Sequence, residues 1–311
     1  MTEFAQGSRS SLSFITESTF GTTPAGNFQN LPFSTHSLNL SKERLQGNDI
    51  QADRMPRVDR HGNRQVGGDI VIDLRDGEYD ALLESAMMGV WDNTPVGPDE
   101  LKVGTTPKYF SIEDYAADID QARLFTGMTV SSMGISLAPN QMVTTTLSML
   151  GKDMSIGATE KTQVASTGAS PFDAYSGDLS IGDVGSLSAS AIVTAIDFSV
   201  DNAFSPTFVI GDDSAPCYQY GRATIEGSFT AFFNDATLIN RFLNETNSAL
   251  QVSVNDPSGA NEYVFLFPYI KINSADANVG GPEGRFVECS FVALYDATEE
   301  SNLVIKRPDT T

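Results

Sequence analysis

The chain has 311 residues, enough for two domains, and its hydrophobic share of 40% is normal for a globular protein. Its 40 acidic residues and 19 Lys and Arg give a formal net charge of −21. This charge argues against sequence-specific DNA binding, because that function needs a basic surface. No apolar run reaches membrane-spanning length, and the opening MTEFAQGSRSS lacks the apolar region of a signal peptide, so we expect synthesis in a cytoplasm.

The first 36 residues are rich in Ser, Thr, Gly and Pro and predict an N-terminal arm with one strand, Leu12–Thr16. Two interpretations stay open for this arm. It is either partly mobile or laid across a neighbouring subunit.

A short alternating strand, Ser37–Ser41, leads into a polar segment, Lys42–Gly68, which is too long for a tight turn. We call this segment the long arm. Folded back as a hairpin, it would reach roughly 40 Å. It is either a solvated loop or a functional projection, and it concentrates basic charge in an acidic chain. Its six cations, against four carboxylates, are Lys42, Arg44, Arg54, Arg57, Arg60 and Arg64.

A second alternating strand follows the long arm at Asp69–Leu74, and apolar residues then recur at helical spacing over Glu78–Val90. Further along, the turn at residues 138–141 predicts a β-hairpin between Thr129–Leu137 and Gln141–Leu150. The first half of the chain therefore predicts four strands and one helix.

The same plan recurs in the second half: a strand ending near Val200, a long loop over residues 201–221, a strand, a helix and a late hairpin. Leu38 matches Ile196, and Ile70 matches Ile225. Several such matches in the same order predict a duplicated chain. We expect a first unit at residues 1–154, a Ser/Gly/Ala-rich linker at 155–190 and a second unit at 191–311.

The sequence offers little support for catalysis. His36 and His61 lie outside any metal-binding or catalytic motif, and Cys217 and Cys289 lack metal-ligand spacing. No nucleophile elbow or phosphate-binding loop occurs. We expect no catalytic residue, no cofactor and no metal.

Each predicted sheet is polar on one face and apolar on the other, and a helix is available to cover the apolar side. Such sheets have exposed edges, which closure around an axis would remove. The polar faces would then line a bore of carboxylates and hydroxyls that repels a polyanion, unless they merely face bulk water. The candidate bore-lining residues are Asn39, Asp69, Asp73, Asp197, Glu226 and Glu288.

The segment FITESTFGTTPAGNFQNLPFSTHSLNLSKE, the long arm, the strand GGDIVIDL and the helix that follows resemble the major tail tube proteins of long-tailed, non-contractile (siphovirus-type) double-stranded DNA bacteriophages. The resemblance implies a β-sandwich-like unit with a flanking α-helix that joins an inter-subunit β-barrel tube. Because the repeat departs from single-unit members of that family, we expect a mainly β fold of two duplicated units of this kind. It also implies stacked rings that conduct DNA during ejection.

The implied partners are other copies of the chain, the tail terminator, tape measure and distal tail proteins, and DNA passing through without sequence-specific binding. Doubling favours rings of three chains, pseudo-hexameric, with six chains as the alternative. A β-rich adhesin or receptor-binding protein remains the alternative function. In the tube hypothesis the long arm contacts the next ring through Arg44, Arg54, Arg57, Arg60 and Arg64.

Overall fold

The computed structural model describes residues 4–50, 52–92, 97–188, 193–279, 281–282 and 284–308. The fold is mainly β, with a 3-10 turn at Gly7–Arg9 and two short helices, α1 (Asp80–Met87) and α2 (Thr237–Leu243). The strands are β1 Ser10–Glu17, β2 Phe28–Asn30, β3 Thr35–His36, β4 Asn39–Gln46, β5 Asp59–Asp73, β6 Asp99–Lys102, β7 Tyr109–Ala116, β8 Gln121–Leu137, β9 Thr144–Gly151, β10 Asp153–Gly157, β11 Gln163–Val164, β12 Asp173–Asp183, β13 Ser186–Ser188, β14 Val193–Asp201, β15 Ser205–Pro206, β16 Tyr218–Gln219, β17 Thr224–Phe232, β18 Ser248–Asn255, β19 Glu262–Asp276, β20 Phe286–Ala293 and β21 Val304–Arg307.

Eight of these strands form one continuous antiparallel sheet, which we call the inner sheet. Its order is β4–β5–β9–β8–β14–β17–β20–β19, and β3 extends the β4 edge. The first four strands and the last four follow the same plan. The two sets meet at β8 and β14, so both halves of the chain contribute to a single sheet.

Two long hairpin strands, β8 and β19, also take part in an outer layer. The first half of β8 pairs with β7 and β10, and β7 pairs in turn with β1. The first half of β19 pairs with β18 and β21. Each strand changes partners near a bulge, and this places two layers face to face as in a β-sandwich.

The core lies between the layers because alternate residues of the inner sheet point into it. Ile70, Leu147, Ile135 and Phe198 come from four neighbouring strands of that sheet and are each at most 3% exposed. Helix α1 seals the first half with Leu82, Leu83, Ala86 and Met87, all buried. It ends at Met87, three residues before the predicted end at Val90, because Met88 takes a left-handed conformation (φ 49°) that stops the helix.

Helix α2 differs from the amphipathic helix that the sequence predicts. None of its residues is buried, and Leu243 is 67% exposed. Leu238 and Phe242 are partly buried against the core. The second helix is therefore a peripheral element, although it occupies the same place in chain order as α1.

The C-terminal strand ties the two halves together. β21 pairs with β6 of the first half, and Arg307 Nε lies 3.0 Å from Asp99 Oδ2 in a buried ion pair. Arg307 Nη1 also lies 2.6 Å from Asp80 Oδ2, and its guanidinium stacks 4.2 Å from the Trp91 ring centroid. Burial lowers the pKa of Arg307, but hydrogen bonds and the charges of these carboxylates outweigh burial and raise it above its ordinary value.

Two predicted segments are more ordered than their composition indicates. Residues 155–188, the described part of the predicted linker, carry most of β10 and all of β11, β12 and β13, and Phe172 is fully buried, so this part is not a free linker. β12 pairs along β18, which gives its backbone partners despite a weak hydrophobic pattern. Likewise β1 in the N-terminal arm pairs with β7 of its own chain.

Candidate functional site

The face of the inner sheet that points away from the core is polar, and we call it the polar face. Side chains there stand in rows across the strands because the ladders are in register. One row crosses seven strands and consists of Asp73, Thr144, Ser136, Asp197, Ser228, Ser290 and Ser274. Every member is a carboxylate or a hydroxyl, so the row offers no apolar surface for a neighbour to cover.

The sheet has two different ends. The long arm is a paired hairpin of β4 and β5 whose described tip residues are 47–50 and 52–58, and it leaves the sheet at the same end as the 202–223 loop. The turn at 138–143 lies at the opposite end, as do the last residue of β19, Asp276, and the first of β20, Phe286. We call these the arm end and the turn end. A subunit with unlike ends can stack head to tail on copies of itself.

Comparison with known protein families gives one decisive match. Residues 7–293 match the family described as phage tail tube protein, which covers both halves of the inner sheet. The chain belongs to that family. Membership makes it a structural component of the virion tail that assembles with further copies and other tail proteins into a tube. No curated protein matches the chain. Among the described helices, none is long and apolar enough to cross a membrane.

In this tube subunit, all six candidate bore-lining residues lie on the polar face. Asp69, Asp197 and Glu226 are exposed there, as are Asn39 and Glu288. Asp73 is half-buried. Ser148 Oγ donates a hydrogen bond to Asp69 Oδ1 at 2.7 Å across the β5–β9 ladder. The alternation of polar and apolar residues was sufficient to place them on one face.

Two further carboxylates on the polar face escaped the sequence analysis. Asp201 lies opposite Ser132, and Asp276 lies opposite Glu288. Asp201 was predicted to begin a loop, and Asp276 lies beyond the predicted end of its strand. Continuing the alternation by two residues would have found Asp201, whereas the bulge between Ile272 and Ser274 puts Asp276 out of phase with the earlier part of its strand. Lys271 is a cation that the described strands place on this face, and its Nζ donates to the backbone oxygen of Glu245.

The five arginines assigned to the inter-ring contact are in different environments. Arg44 Nε lies 2.8 Å from Asp59 Oδ2, and Arg57 pairs with Asp53, so both have partners within the arm. Arg64 lies at the base of the arm, where its Nη1 is 3.1 Å from Asp153 Oδ1 and its Nε is 3.1 Å from Asp213 Oδ1.

Arg54 and Arg60 are exposed and have no ion-pair partner within the part of the chain that the structure describes. Of the five assigned arginines, these two are the ones available to pair with a neighbouring molecule. The tip between them is also apolar, since Ile50 is 100% exposed and Met55 is 74% exposed. Exposed large apolar side chains at the end of a projection are typical of a surface that contacts another molecule.

Proposed function

We propose that the inner sheet forms the wall of the tube and that its polar face lines the channel through which double-stranded DNA is ejected. The single observation that carries this proposal is the continuous eight-stranded sheet, with an apolar core on one face and carboxylates and hydroxyls on the other. The proposal includes a non-contractile tail of the siphovirus type and assembly in the host cytoplasm.

The bore size favours three chains per ring. A closed barrel of strands about 4.8 Å apart and tilted by about 40° gains about 6 Å of circumference per strand. After about 5 Å of side chain is subtracted at each wall, a ring of two chains would have a bore about 20 Å in diameter, the width of a bare DNA duplex. Three chains would leave about 38 Å and six about 85 Å. Three eight-stranded chains therefore fit hydrated DNA best, as a pseudo-hexameric ring.

The charge of the polar face suits a conduit better than a binding site. Its carboxylates are Asp69, Asp73, Asp197, Asp201, Glu226, Asp276 and Glu288. A polyanion is repelled by such a wall and has few cations to hold it, so it slides without binding sequence. Hydroxyls between the carboxylates keep the surface hydrated.

Rings stack through the arm end of one ring and the turn end of the next. At the turn end an open groove of about 710 Å³ is lined by apolar groups that include Leu137, Pro139, Tyr175 and Leu179. The apolar arm tip matches this groove in chemistry, and Arg54 and Arg60 meet the acidic surface of a chain of net charge −21. The proposal also includes duplicated units at residues 1–154 and 191–311. The end rings contact the tail terminator, tape measure and distal tail proteins.

The test is electron microscopy of the purified protein, with rotational averaging of end-on views. We expect tubes or stacked rings with a bore near 40 Å, threefold symmetry and a weaker sixfold pattern. Discrete particles without a channel would contradict the proposed function and favour the adhesin alternative. Strong sixfold symmetry from six whole chains would contradict only the proposed number of chains per ring and would leave the proposed function standing.

A further inference from the structure

We infer that neighbouring chains in a ring join through β4 of one chain and the second half of β19 of the next, in a register that the chain itself displays. The inference rests on the proposed function, because it specifies how one subunit's sheet continues into the next. Within the described residues, β4 has a ladder with β5 alone, and Lys271–Asp276 has a ladder with β20 alone. Both strands therefore have an open backbone edge.

The junction between β8 and β14 is the template. β8 is the last strand of the first four, and β14 is the first strand of the second four. The contact between two neighbouring chains must repeat this junction, with β19 in the place of β8 and β4 in the place of β14. Ser132 lies opposite Asp201 in this ladder, and Phe198 lies opposite Ile135. The ladder extends one residue further, where Asn202 N–H donates to the Ser131 backbone oxygen at 3.1 Å.

A repeated bulge shows which residues of the two hairpins are equivalent. The β8–β9 ladder shifts register between Val130 and Ser132, and the β19–β20 ladder shifts between Ile272 and Ser274. Directly after each shift a serine faces a serine: Ser132 faces Ser148, and Ser274 faces Ser290. Ser274 is therefore the equivalent of Ser132.

The first strands are matched in the same way. Asp69 faces Ser148, and Ser228 faces Ser290, so Asp69 and Ser228 are equivalent. Four residues earlier on each strand, Gln65 faces Ser41, and Thr224 faces Asp201. Ser41 is therefore the equivalent of Asp201.

Transferring the template places Ser41 of one chain opposite Ser274 of the next, and Asn39 opposite Asp276. The junction is antiparallel, because seven antiparallel ladders separate β4 from β19 and a ring keeps the axial direction of every chain. The pairing also matches faces: Leu40 lies opposite Ala275, and both already pack against the core. A slip of one residue would turn one strand's apolar side chains toward the bore.

Disulfide trapping tests this register. In a Cys217→Ser background, which removes the exposed thiol, the pair Ser41→Cys and Ser274→Cys is placed on one chain. The two positions should face each other as a non-hydrogen-bonded pair with Cα atoms about 4.5 Å apart, within disulfide range. Inside one chain they lie seven strand spacings apart, about 34 Å, so any disulfide between them joins two chains.

The matched control is Asn39→Cys with Ser274→Cys, which lies two residues out of register at a diagonal Cα distance of about 7–8 Å, beyond disulfide range. We expect mild oxidation of assembled Ser41/Ser274 material to give covalent dimers and trimers at least tenfold faster than the control. Tubes that form normally but cross-link faster in the control pair, or in neither pair, would overturn the register and leave the proposed function standing. Absence of rings and tubes in the reduced, wild-type protein would overturn the proposed function itself.

Discussion

Gly227 and Gly134 belong to the same inner sheet but face opposite sides of it, so they test which side is the core. A Cβ atom on Gly227 would lie 2.6 Å from Phe291 Cζ and 2.7 Å from the Asp197 backbone oxygen. A Cβ atom on Gly134 would have no heavy atom within 4 Å. Neither glycine has a positive φ, so alanine suits the backbone at both positions.

Gly227→Ala should therefore destabilise the subunit. The ring of Phe291 can shift slightly, but the Asp197 oxygen belongs to a paired backbone, so overpacking should cost about 2–3 kcal/mol of unfolding free energy. For a chain of 311 residues, that corresponds to a fall in Tm of roughly 3–5 °C. Gly134→Ala should lie between neutral and about 1 kcal/mol more stable, because it only restricts the unfolded chain.

Unfolding is followed by circular dichroism, on subunits kept too dilute to assemble, because assembly would add stability by mass action. Equal losses in the two variants, or a larger loss at Gly134, would refute the assignment of core and polar faces. The wild-type protein is the reference in each measurement.

Three further predictions concern the arm, the buried ion pair and acid stability. Arg54→Glu with Arg60→Glu should leave rings soluble but slow tube growth at least tenfold in turbidity and electron microscopy, because the two arm arginines without an ion pair among the described residues would become carboxylates that face an acidic neighbour. Normal growth would contradict the stacking proposal. Asp99→Asn should cost roughly 3 kcal/mol of unfolding free energy because it weakens the buried pair with Arg307. Asp183→Asn should cost under about 0.5 kcal/mol, because the Asp183 side chain is 72% exposed in its pair with Arg241; equal costs would contradict this difference in burial. Burial raises the pKa of Asp114, but hydrogen bonds from His36 and Arg123 outweigh burial and leave the pKa below its usual 3.8. Asp114→Asn should therefore lose the most unfolding free energy above about pH 5, and the loss should shrink as the pH falls below 4 toward the folded pKa. A pH-independent difference in urea unfolding would refute that assignment.

Local patterns were sufficient for the central strands β5, β8 and β9 and for the polar face. Strict alternation over Asp69–Leu74 and over the hairpin of Thr129–Leu137 and Gln141–Leu150 predicted β5, β8 and β9 with the correct faces. Alternation is local, since neighbouring side chains of an extended strand always point to opposite sides. The six candidate bore-lining residues therefore all lie where the sequence placed them, and their position in an assembled bore remains a proposal.

The matching of the two halves was less accurate. The sequence paired Ile70 with Ile225 and Leu38 with Ile196, whereas the ladders make Ile70 equivalent to Phe229 and Leu38 equivalent to Phe198. These are slips of four and two residues. An even slip keeps every apolar residue on the same face, so a period of two cannot detect it. Only the bulges and the ladder partners fix the register.

Composition misled the interpretation of residues 155–190. Ser, Gly and Ala are common in flexible linkers, but β12 gains hydrogen bonds from β18 that no local pattern reveals. The long arm shows the same limit. Its reach was estimated for a hairpin, but a solvated loop stayed open as the alternative, and the ion pairs that engage Arg44, Arg57 and Arg64 depend on residues brought together by folding.

A reconstruction of purified tubes by electron cryomicroscopy, at a resolution that shows side chains, tests the central claim most directly. We predict a closed barrel of about 24 strands whose inner wall carries Asp197, Glu226 and Glu288, three residues exposed on the polar face of the single chain. A tube in which these carboxylates face outward, or in which the inner sheet takes no part in the wall, would contradict the account.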